Sequence, residues 1–401
     1  MFKNIKIIDQ NNEGEGVARL NNKVVFIPYA LKNDIVDIDI TRDNKNFSEG
    51  QIQKIVNQSN ERREVLCRYY YDCGGCNIMH QLYNYQLEFK KNKVINNLKH
   101  ISNIKIDTLD IEYDSEYNYR NHITLSVKNN KIGFLKSHSN DIVDIDKCII
   151  SNEILNNKIN EIRLFLDKYK NNNIDKISIK SYNDVLINIE SNNFKFINEF
   201  LKYVKCDSLY INNIFMYGKE KVDINFGKYK FKISNKSFFQ KNTNMALKLY
   251  DYIKENISID DKVLDLYCGI GSIGIYISDK CKSVLGIEVI NDAVKDAKSN
   301  ASLNNINNIS FISGKVEDNI DNINDIDTII VDPPRIGINR KAIDNILKIN
   351  AKKIIYVSCN STTLARDINY LKDYYDIKKI KLFDLFANTN HCESITVLER
   401  K

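Results

Sequence analysis

Cys359 stands where an apolar run, IIYVS, ends and a cap-rich segment, Asn360-Ser361-Thr362-Thr363, begins. Read as a strand followed by a helix starting near Leu364, this places the thiol at the carboxyl edge of a sheet, beside the positive end of a helix. That setting lowers a thiol's pKa and favours the thiolate, the form that attacks. A cysteine is also a small buried hydrophobe, and the pattern alone leaves both roles open. Further on, DLFANTNHCESITV puts His391 and Glu393 at the start of the last strand, where Glu393 can act as a base. Cys392 beside it reads as packing.

A second constellation supplies the partner chemistry. VLDLYCGIGSIGIY carries a strand through Tyr267 and Cys268 into Gly269-Ile270-Gly271-Ser272, and glycines there let backbone turn tightly and approach a ligand. The next strand, SVLGIEV, ends on Glu288, about 20 residues on, where a carboxylate can accept both hydroxyls of a ribose. Those two features suit either NAD or S-adenosylmethionine. TIIVDPPRIGI separates them, because it sets Asp332-Pro333-Pro334-Arg335 at the end of the fourth strand of this unit, with two of the chain's 3 prolines. The prolines hold the backbone extended, so the turn can present carbonyls and Asp332 to a flat base. An amino-group methyltransferase uses such a turn with an aromatic ring after the prolines; Arg335 argues against it.

With a methyl donor in the loop, the cysteine acquires a use. C5 of a pyrimidine is too weak a nucleophile to take a methyl group unaided, whereas a thiolate adding to C6 makes an enolate whose C5 is nucleophilic. A base must then remove the C5 proton before the enzyme can leave, and Glu393 is the candidate. Four further cysteines, Cys67, Cys73 and Cys76 in LCRYYYDCGGCNIMH and Cys148 in DIDKCII, are a ligand set for Zn²⁺ or an iron–sulfur cluster.

The elements that position these residues are legible in outline. Residues 1–58 show short strands (FKNIKII, KVVFIP, DIVDIDITRD, GQIQKIV) with turns at 11–16, 21–22 and 44–50, the texture of a small β-barrel. Residues 59–235 hold the cysteines, a helix from Tyr83 to about His100, and an α+β region of strands HITLSV, KISIKSY, VLINIES and YKFKIS around a helical NNKINEIRLFLDKY. Residues 236–401 alternate strand and helix, which predicts a Rossmann-like, doubly wound and mainly parallel sheet binding ligands at its strands' carboxyl ends. No apolar run nears the roughly 18–20 residues that span a bilayer, and the amino terminus lacks a secretory signal's apolar core, so the thiols are read as cytoplasmic. With 58 Lys+Arg against 52 Asp+Glu, a formal charge of +6 and a pI near 8.6, charge permits a nucleic-acid partner without demanding one. The need to admit a bulky RNA, its base flipped out, points to a monomer.

The set ISNKSFFQKNTNMALKLY, DLYCGIG, DPPRIGI, SCNSTTLARDI and HCES resembles the RNA (uracil-5-)-methyltransferase family along nearly the whole chain, closest to its 23S rRNA members. The resemblance implies an α/β fold of three parts: an OB-like TRAM barrel that binds RNA, matched by EGEGVARLNNKVVFIPYALKNDIVDIDI, a central α+β iron–sulfur domain, and the methyltransferase domain. It implies Cys359 as nucleophile, Glu393 as general base, and Gln240, Tyr267, Gly269, Ser272, Glu288 and Asp332 as contacts to S-adenosylmethionine. The CxxxxxCGGC…C pattern implies a [4Fe–4S] cluster on Cys67, Cys73, Cys76 and Cys148, with zinc as the alternative. Arg120 and Asn121 match a YRN motif and are expected to meet RNA, and tyrosines 69–71 can stack on bases or pack the cluster. The chain departs from the family pattern at Asn235, Ser272 and Ser361, none of them a reacting group. The expected substrate is 23S rRNA; tRNA is the alternative for the same chemistry, and a non-catalytic RNA-binding assembly factor the alternative from another class.

Overall fold

Asn21 and Asn22 both take left-handed backbone (φ 49° and 65°), as a two-residue turn matched to strand twist requires, and they join Gly16–Leu20 to Lys23–Ile27. This hairpin belongs to the N-terminal sheet of a computed structural model that describes residues 1–321 and 323–401. Strands Phe2–Lys6, Asp9–Gln10, Ile35–Asp43 and Phe47–Asn57 complete six. The two end strands of that sheet are continuous through Ile7 and Ile8, so one bent stretch pairs with Ile35–Asp43 on one side and Gly16–Leu20 on the other. The sheet is thereby closed into a barrel filled by Ile7, Ala18, Val25, Ile27, Val36 and Ile38. The expected turn at 44–50 is shorter, because Phe47 to Gly50 already pair with neighbouring strands.

The central seven-stranded sheet runs in the order Ile142–Asp144, Lys131–Leu135, His122–Lys128, Ile174–Ser181, Val185–Ser191, Ser208–Ile211, Ile214–Gly218. Helix Glu153–Lys168 covers one face; Asn152 caps its start, accepting from Leu155 N, and Leu155, Ile159, Ile162 and Phe165 are buried against the sheet. Residues 59–235 are divided between two cores. The hairpin Val222–Phe226/Tyr229–Ile233, which contains the expected strand YKFKIS, packs instead with the C-terminal helices. Helix Tyr83–Ser102 likewise lays Val94 and Leu98 on the C-terminal core, and Asp110–Glu112 joins the C-terminal sheet as an edge strand.

That C-terminal sheet has eight strands in the order Ile309–Ser313, Ser283–Glu288, Lys262–Leu266, Thr328–Val331, Lys353–Ser358, Glu393–Arg400, Tyr375–Phe383, Asp110–Glu112. The first five are parallel, and strand order reverses between Lys262–Leu266 and Thr328–Val331, so the crevice at their carboxyl ends is the place for a ligand. Glu393–Arg400 is antiparallel to Lys353–Ser358, with Ser358 opposite Ser394. One residue beyond, this register sets Cys359 across from Glu393.

Candidate active site

The glycine loop shows why those residue types are needed. Tyr267, Gly269 and Gly271 have φ of 63°, 54° and 73°, a backbone that curls over the strand end. A Cβ on Gly271 would lie 2.7 Å from Phe311 Cζ, while one on Gly269 would meet nothing within 4 Å, so Gly269 leaves backbone bare toward an open space. Glu288 fixes the loop: its Oε2 accepts from Gly269 N (3.1 Å) and its Oε1 from Ile290 N (2.8 Å). Each carboxylate oxygen keeps a second lone pair, so Glu288 can still receive ribose hydroxyls. Ser272 Oγ is hydrogen-bonded to Tyr250 OH (2.8 Å).

Gln240, Tyr267, Gly269, Ser272, Glu288 and Asp332 all line one cavity of about 1010 Å³, together with Cys359 and Glu393. Burial raises two carboxyls here, Asp332 in the cavity lining and Asp265 on the strand beside it. Asp332 is pushed up to about 7, and Asp265, whose Oδ1 has no hydrogen-bond partner among the described residues, to about 8 by burial and by Asp332. Asp265 Oδ2 accepts from Gly274 N (3.1 Å), which ties this carboxyl to the helix that follows the glycine loop. The bare glycine backbone and the ribose-competent carboxylate fit an adenosyl cofactor.

Cys359 and Glu393 correct one expectation. Burial, reinforced by Glu393 and Asp332 and opposed by Arg335, raises the Cys359 thiol to about 11. The helix Ser361–Leu371 begins three residues earlier than expected, and its N-cap is Asn360, whose side chain accepts from Thr362 N (3.1 Å). Its positive end is therefore already met by the cap, and burial beside two carboxyls outweighs it. Glu393 is 8% exposed and is raised to about 8 by burial and by Asp332. Cys392 is partly buried against the C-terminal core, its Sγ toward Glu393 O (3.4 Å) and Phe383 O (3.7 Å), in line with packing.

Arg335 connects the two segments. Its carbonyl accepts from Asn360 Nδ2 (3.1 Å) and Thr363 Oγ1 (3.3 Å), and its Nη2 lies 3.2 Å from His391 Nε2. His391, pushed down to about 4 by burial and nearby cations, is a neutral partner. The loop after Phe383 is anchored from behind by the wholly buried ion pair Lys90 Nζ–Asp384 (2.6 Å). Breaking such a pair costs about 3–5 kcal/mol, because one charge is left stranded.

Arg120, expected to meet RNA, lines the cavity with Lys147, Lys236, Lys241 and Arg335, and none of the five has a carboxylate within ion-pair distance among the described residues. Sequence reading passed over Lys147, Lys236 and Lys241; the signal was the lysines flanking SFFQ. Asn121 has another task, since its Nδ2 donates to Gln240 O (3.1 Å) and Thr243 Oγ1 (2.8 Å) and so braces the segment that carries Gln240. Of the three tyrosines, Tyr70 is buried with its OH on His80 Nδ1 (2.6 Å), Tyr69 is bonded to Asp146, and only Tyr71 is exposed.

Cys67, Cys73, Cys76 and Cys148 are free thiols on the far wall of the same cavity. Burial raises Cys67, Cys73 and Cys76, and in each case Cys148 pushes in the same direction, so the four are neighbours along that wall. No group of three or more His, Cys, Asp or Glu among the described residues stands close enough to hold a single metal ion. Among the same residues no helix is long and apolar enough to cross a membrane.

Comparison with known proteins agrees with this geometry. Residues 205–401 match the family described as tRNA (Uracil-5-)-methyltransferase, and residues 3–52 match the TRAM domain. An uncharacterized RNA methyltransferase of Clostridium acetobutylicum is 32% identical over 99% of this chain and 96% of its own. One of Caldanaerobacter subterraneus subsp. tengcongensis is 34% identical over 99% and 97%. The crystal structure of Pyrococcus abyssi tRNA (uracil-54, C5)-methyltransferase in complex with S-adenosyl-L-homocysteine superposes with a TM-score of 0.82 at 25% identity, covering 98% of this chain and 99% of that one. These similarities run the length of the chain, and the chain belongs to the RNA (uracil-5-)-methyltransferase family, whose members methylate RNA with S-adenosylmethionine.

Proposed function

We propose that this chain methylates C5 of a uridine in 23S rRNA through a covalent bond between Cys359 and C6 of the base. The observation that carries the reading is the antiparallel register that sets Cys359 across from Glu393 in the cavity that also contains the glycine loop. In this division of labour residues 1–58 grip RNA, residues 59–235 present the cysteines, and residues 236–401 perform the transfer.

Bound S-adenosylmethionine supplies an electrophilic methyl group; everything else falls to side chains. Gln240, Tyr267, Gly269, Ser272, Glu288 and Asp332 would hold it. Arg120, Lys147, Lys236, Lys241 and Arg335 draw the phosphate backbone to the mouth of the cavity, and the target base leaves its stack to reach the thiol. A thiol that titrates near 11 must shed its proton as the bond to C6 forms, and the carboxylate form of Glu393 is the acceptor at hand. Glu393 passes that proton to solvent, removes the C5 proton after methyl transfer, and so lets the C6–S bond break. A carboxyl near 8 is well matched to proton transfer at neutral pH.

For the cysteines, the fit favours a cluster over zinc. A zinc ion draws four sulfurs to about 2.3 Å from one point, and these thiols share a cavity wall without that convergence. The cube of a [4Fe–4S] cluster binds thiolates at its corners and so keeps them farther apart. Cys67, Cys73, Cys76 and Cys148 would each ligate one iron. Protein purified without oxygen should then contain about four irons and four acid-labile sulfides per chain, lost in Cys76→Ser; one zinc and no sulfide would reverse the assignment.

The substrate is decided by mass spectrometry of nucleosides from 23S rRNA and tRNA fractions of cells with and without the gene. Loss of 5-methyluridine from 23S rRNA alone is expected. The similarity to the P. abyssi enzyme supports a second reading, tRNA, and loss from tRNA alone would establish it with the chemistry unchanged. Loss from neither would end both.

A further inference from the structure

The turn at the tip of the N-terminal barrel is bonded to the segment that leads into Glu393 and, through Asn97, to the helix start that follows Cys359. It is built rigid: Glu13 N donates to Asn11 Oδ1 (2.9 Å), Gly14 N to Asn11 O (3.0 Å) and Asn11 N to Glu15 O (2.9 Å). Gly14, at φ 83°, sits so close to the loop after Cys76 that a Cβ would fall 2.4 Å from Ile78 Cγ2. From this turn one set of bonds runs to the segment before Glu393. Asn390 Nδ2 donates to Glu13 Oε2 (2.7 Å) and to Asn12 O (3.3 Å), and Asn390 N donates to Asn77 Oδ1 (2.8 Å), whose Nδ2 returns to Glu13 O (2.9 Å). Lys93 Nζ bridges Asn12 O (2.6 Å) and Asn390 O (3.1 Å). A second set runs toward Cys359: Asn12 Nδ2 donates to Asn97 Oδ1 (3.2 Å), and Asn97 Nδ2 donates to Ser361 Oγ (2.7 Å).

Asn390 is only 3% exposed, and both acceptors of its side-chain amide belong to the barrel turn. Three residues later Glu393 opens the last strand, and Asn390 stands in the irregular run that leads into it, with Asn388 at φ 67°. A loop of that kind holds no fixed course by itself, and a displacement near 1 Å at a reacting group can cost about 100-fold in rate. We propose that the Asn12–Glu13 turn is a positioning element for the reaction: the strand register sets Glu393 opposite Cys359, and the turn, docked through Asn390, fixes the entry of that strand and with it the placement of the Glu393 carboxyl. The barrel thereby contributes to release of the RNA adduct as well as to RNA binding. This rests on the reading of Glu393 as the base that removes the C5 proton.

The test uses the full chain carrying Asn390→Ala, Glu13→Ala, Glu13→Gln or Glu393→Gln, with RNA containing the target uridine. For Asn390→Ala and Glu13→Ala, kcat should fall about tenfold, the scale of one lost charge-assisted hydrogen bond, with the Kd for RNA within about twofold of wild type. Denaturation-resistant protein–RNA adduct should stand several-fold higher at steady state. Glu13→Gln keeps an acceptor oxygen and should restore kcat, and combining Glu13→Ala with Asn390→Ala should cost no more than either alone. Melting curves identify a variant that fails to fold, and Glu13, exposed at the surface, keeps the test open if Asn390→Ala does so. A weakened Kd with kcat unchanged would overturn the proposal, as would adduct accumulating in Glu393→Gln but in neither latch variant. If Glu393→Gln itself accumulates none, the base assignment falls; lowered kcat at constant Kd then still sustains the positioning role, and unchanged kcat ends it.

Discussion

Cys359→Ala protein is expected to form no denaturation-resistant complex with RNA and to lose methyl transfer by at least about 10⁴-fold, the scale on which a covalent nucleophile matters. The side chain is small and partly buried, and removing one sulfur leaves the strand Lys353–Ser358 and the cap at Asn360 intact, so the fold should survive. Cofactor affinity, read by isothermal titration with S-adenosylmethionine, should change by less than about threefold, since the glycine loop and Glu288 are untouched. Those three readouts separate the chemistry from its surroundings. Full turnover by Cys359→Ala would remove the covalent route and leave C5 without activation; loss of cofactor binding would instead make the residue part of the pocket wall. A further consequence concerns pH. Because the thiol is held near 11 by burial and two carboxyls, adduct formation should quicken with rising pH well beyond neutrality, unlike a helix-activated thiolate, which would already be saturated.

That expectation of a helix-activated thiolate shows where sequence reading ran out. The strand–turn–helix at 262–277 was legible because buried parallel strands read as unbroken apolar runs and because left-handed turns need glycine. Cys359 at a strand end was legible for the same reason. Its pKa was not, since burial beside Glu393 and Asp332 depends on strand order, which composition does not carry. Their facing arrangement comes from an antiparallel last strand entering between Lys353–Ser358 and Tyr375–Phe383, a pairing invisible in local pattern. Strand Gly16–Leu20 escapes alternation because its inward residues are Gly16 and Ala18, small where a core position is normally large. The hairpin at 222–233 reads correctly as strands, yet nothing in its sequence says which of two neighbouring cores will receive it. The contacts of Asn12, Glu13 and Asn390 are legible least of all: each is a polar residue in a turn, and only the fold brings residues 377 positions apart within hydrogen-bond reach.

Glu393→Gln should separate methyl transfer from product release. The variant keeps the shape of the side chain and the cofactor site; the thiol proton must then go to water, so the C6 adduct forms more slowly but still takes a first methyl group, and no carboxylate remains to take the C5 proton. Turnover should fall by about 10²–10⁴-fold, and denaturing gels should show methylated RNA attached to protein in proportion to enzyme. In wild type the working form is the carboxylate, and burial holds the carboxyl near 8, so the release rate should rise with pH and level off above about 8. The variant should show a flat residual rate across that range. Stability moves in the opposite sense. Glutamate in an unfolded chain titrates near 4.3, so a folded pKa near 8 means that this carboxyl's stabilising contribution is present in full below about pH 4 and is lost as pH rises toward 8. Glu393→Gln carries no such penalty, and its melting temperature should exceed that of wild type by a margin that widens between pH 5 and 8 and is constant above. A base buried against Asp332 is thus kept at the expense of stability, and a variant that is more heat-stable yet trapped on its RNA would show both effects in one protein. Rapid release with no trapped adduct would assign the C5 proton to another group, with Asp332, raised to about 7 in the same cavity, the next to be replaced.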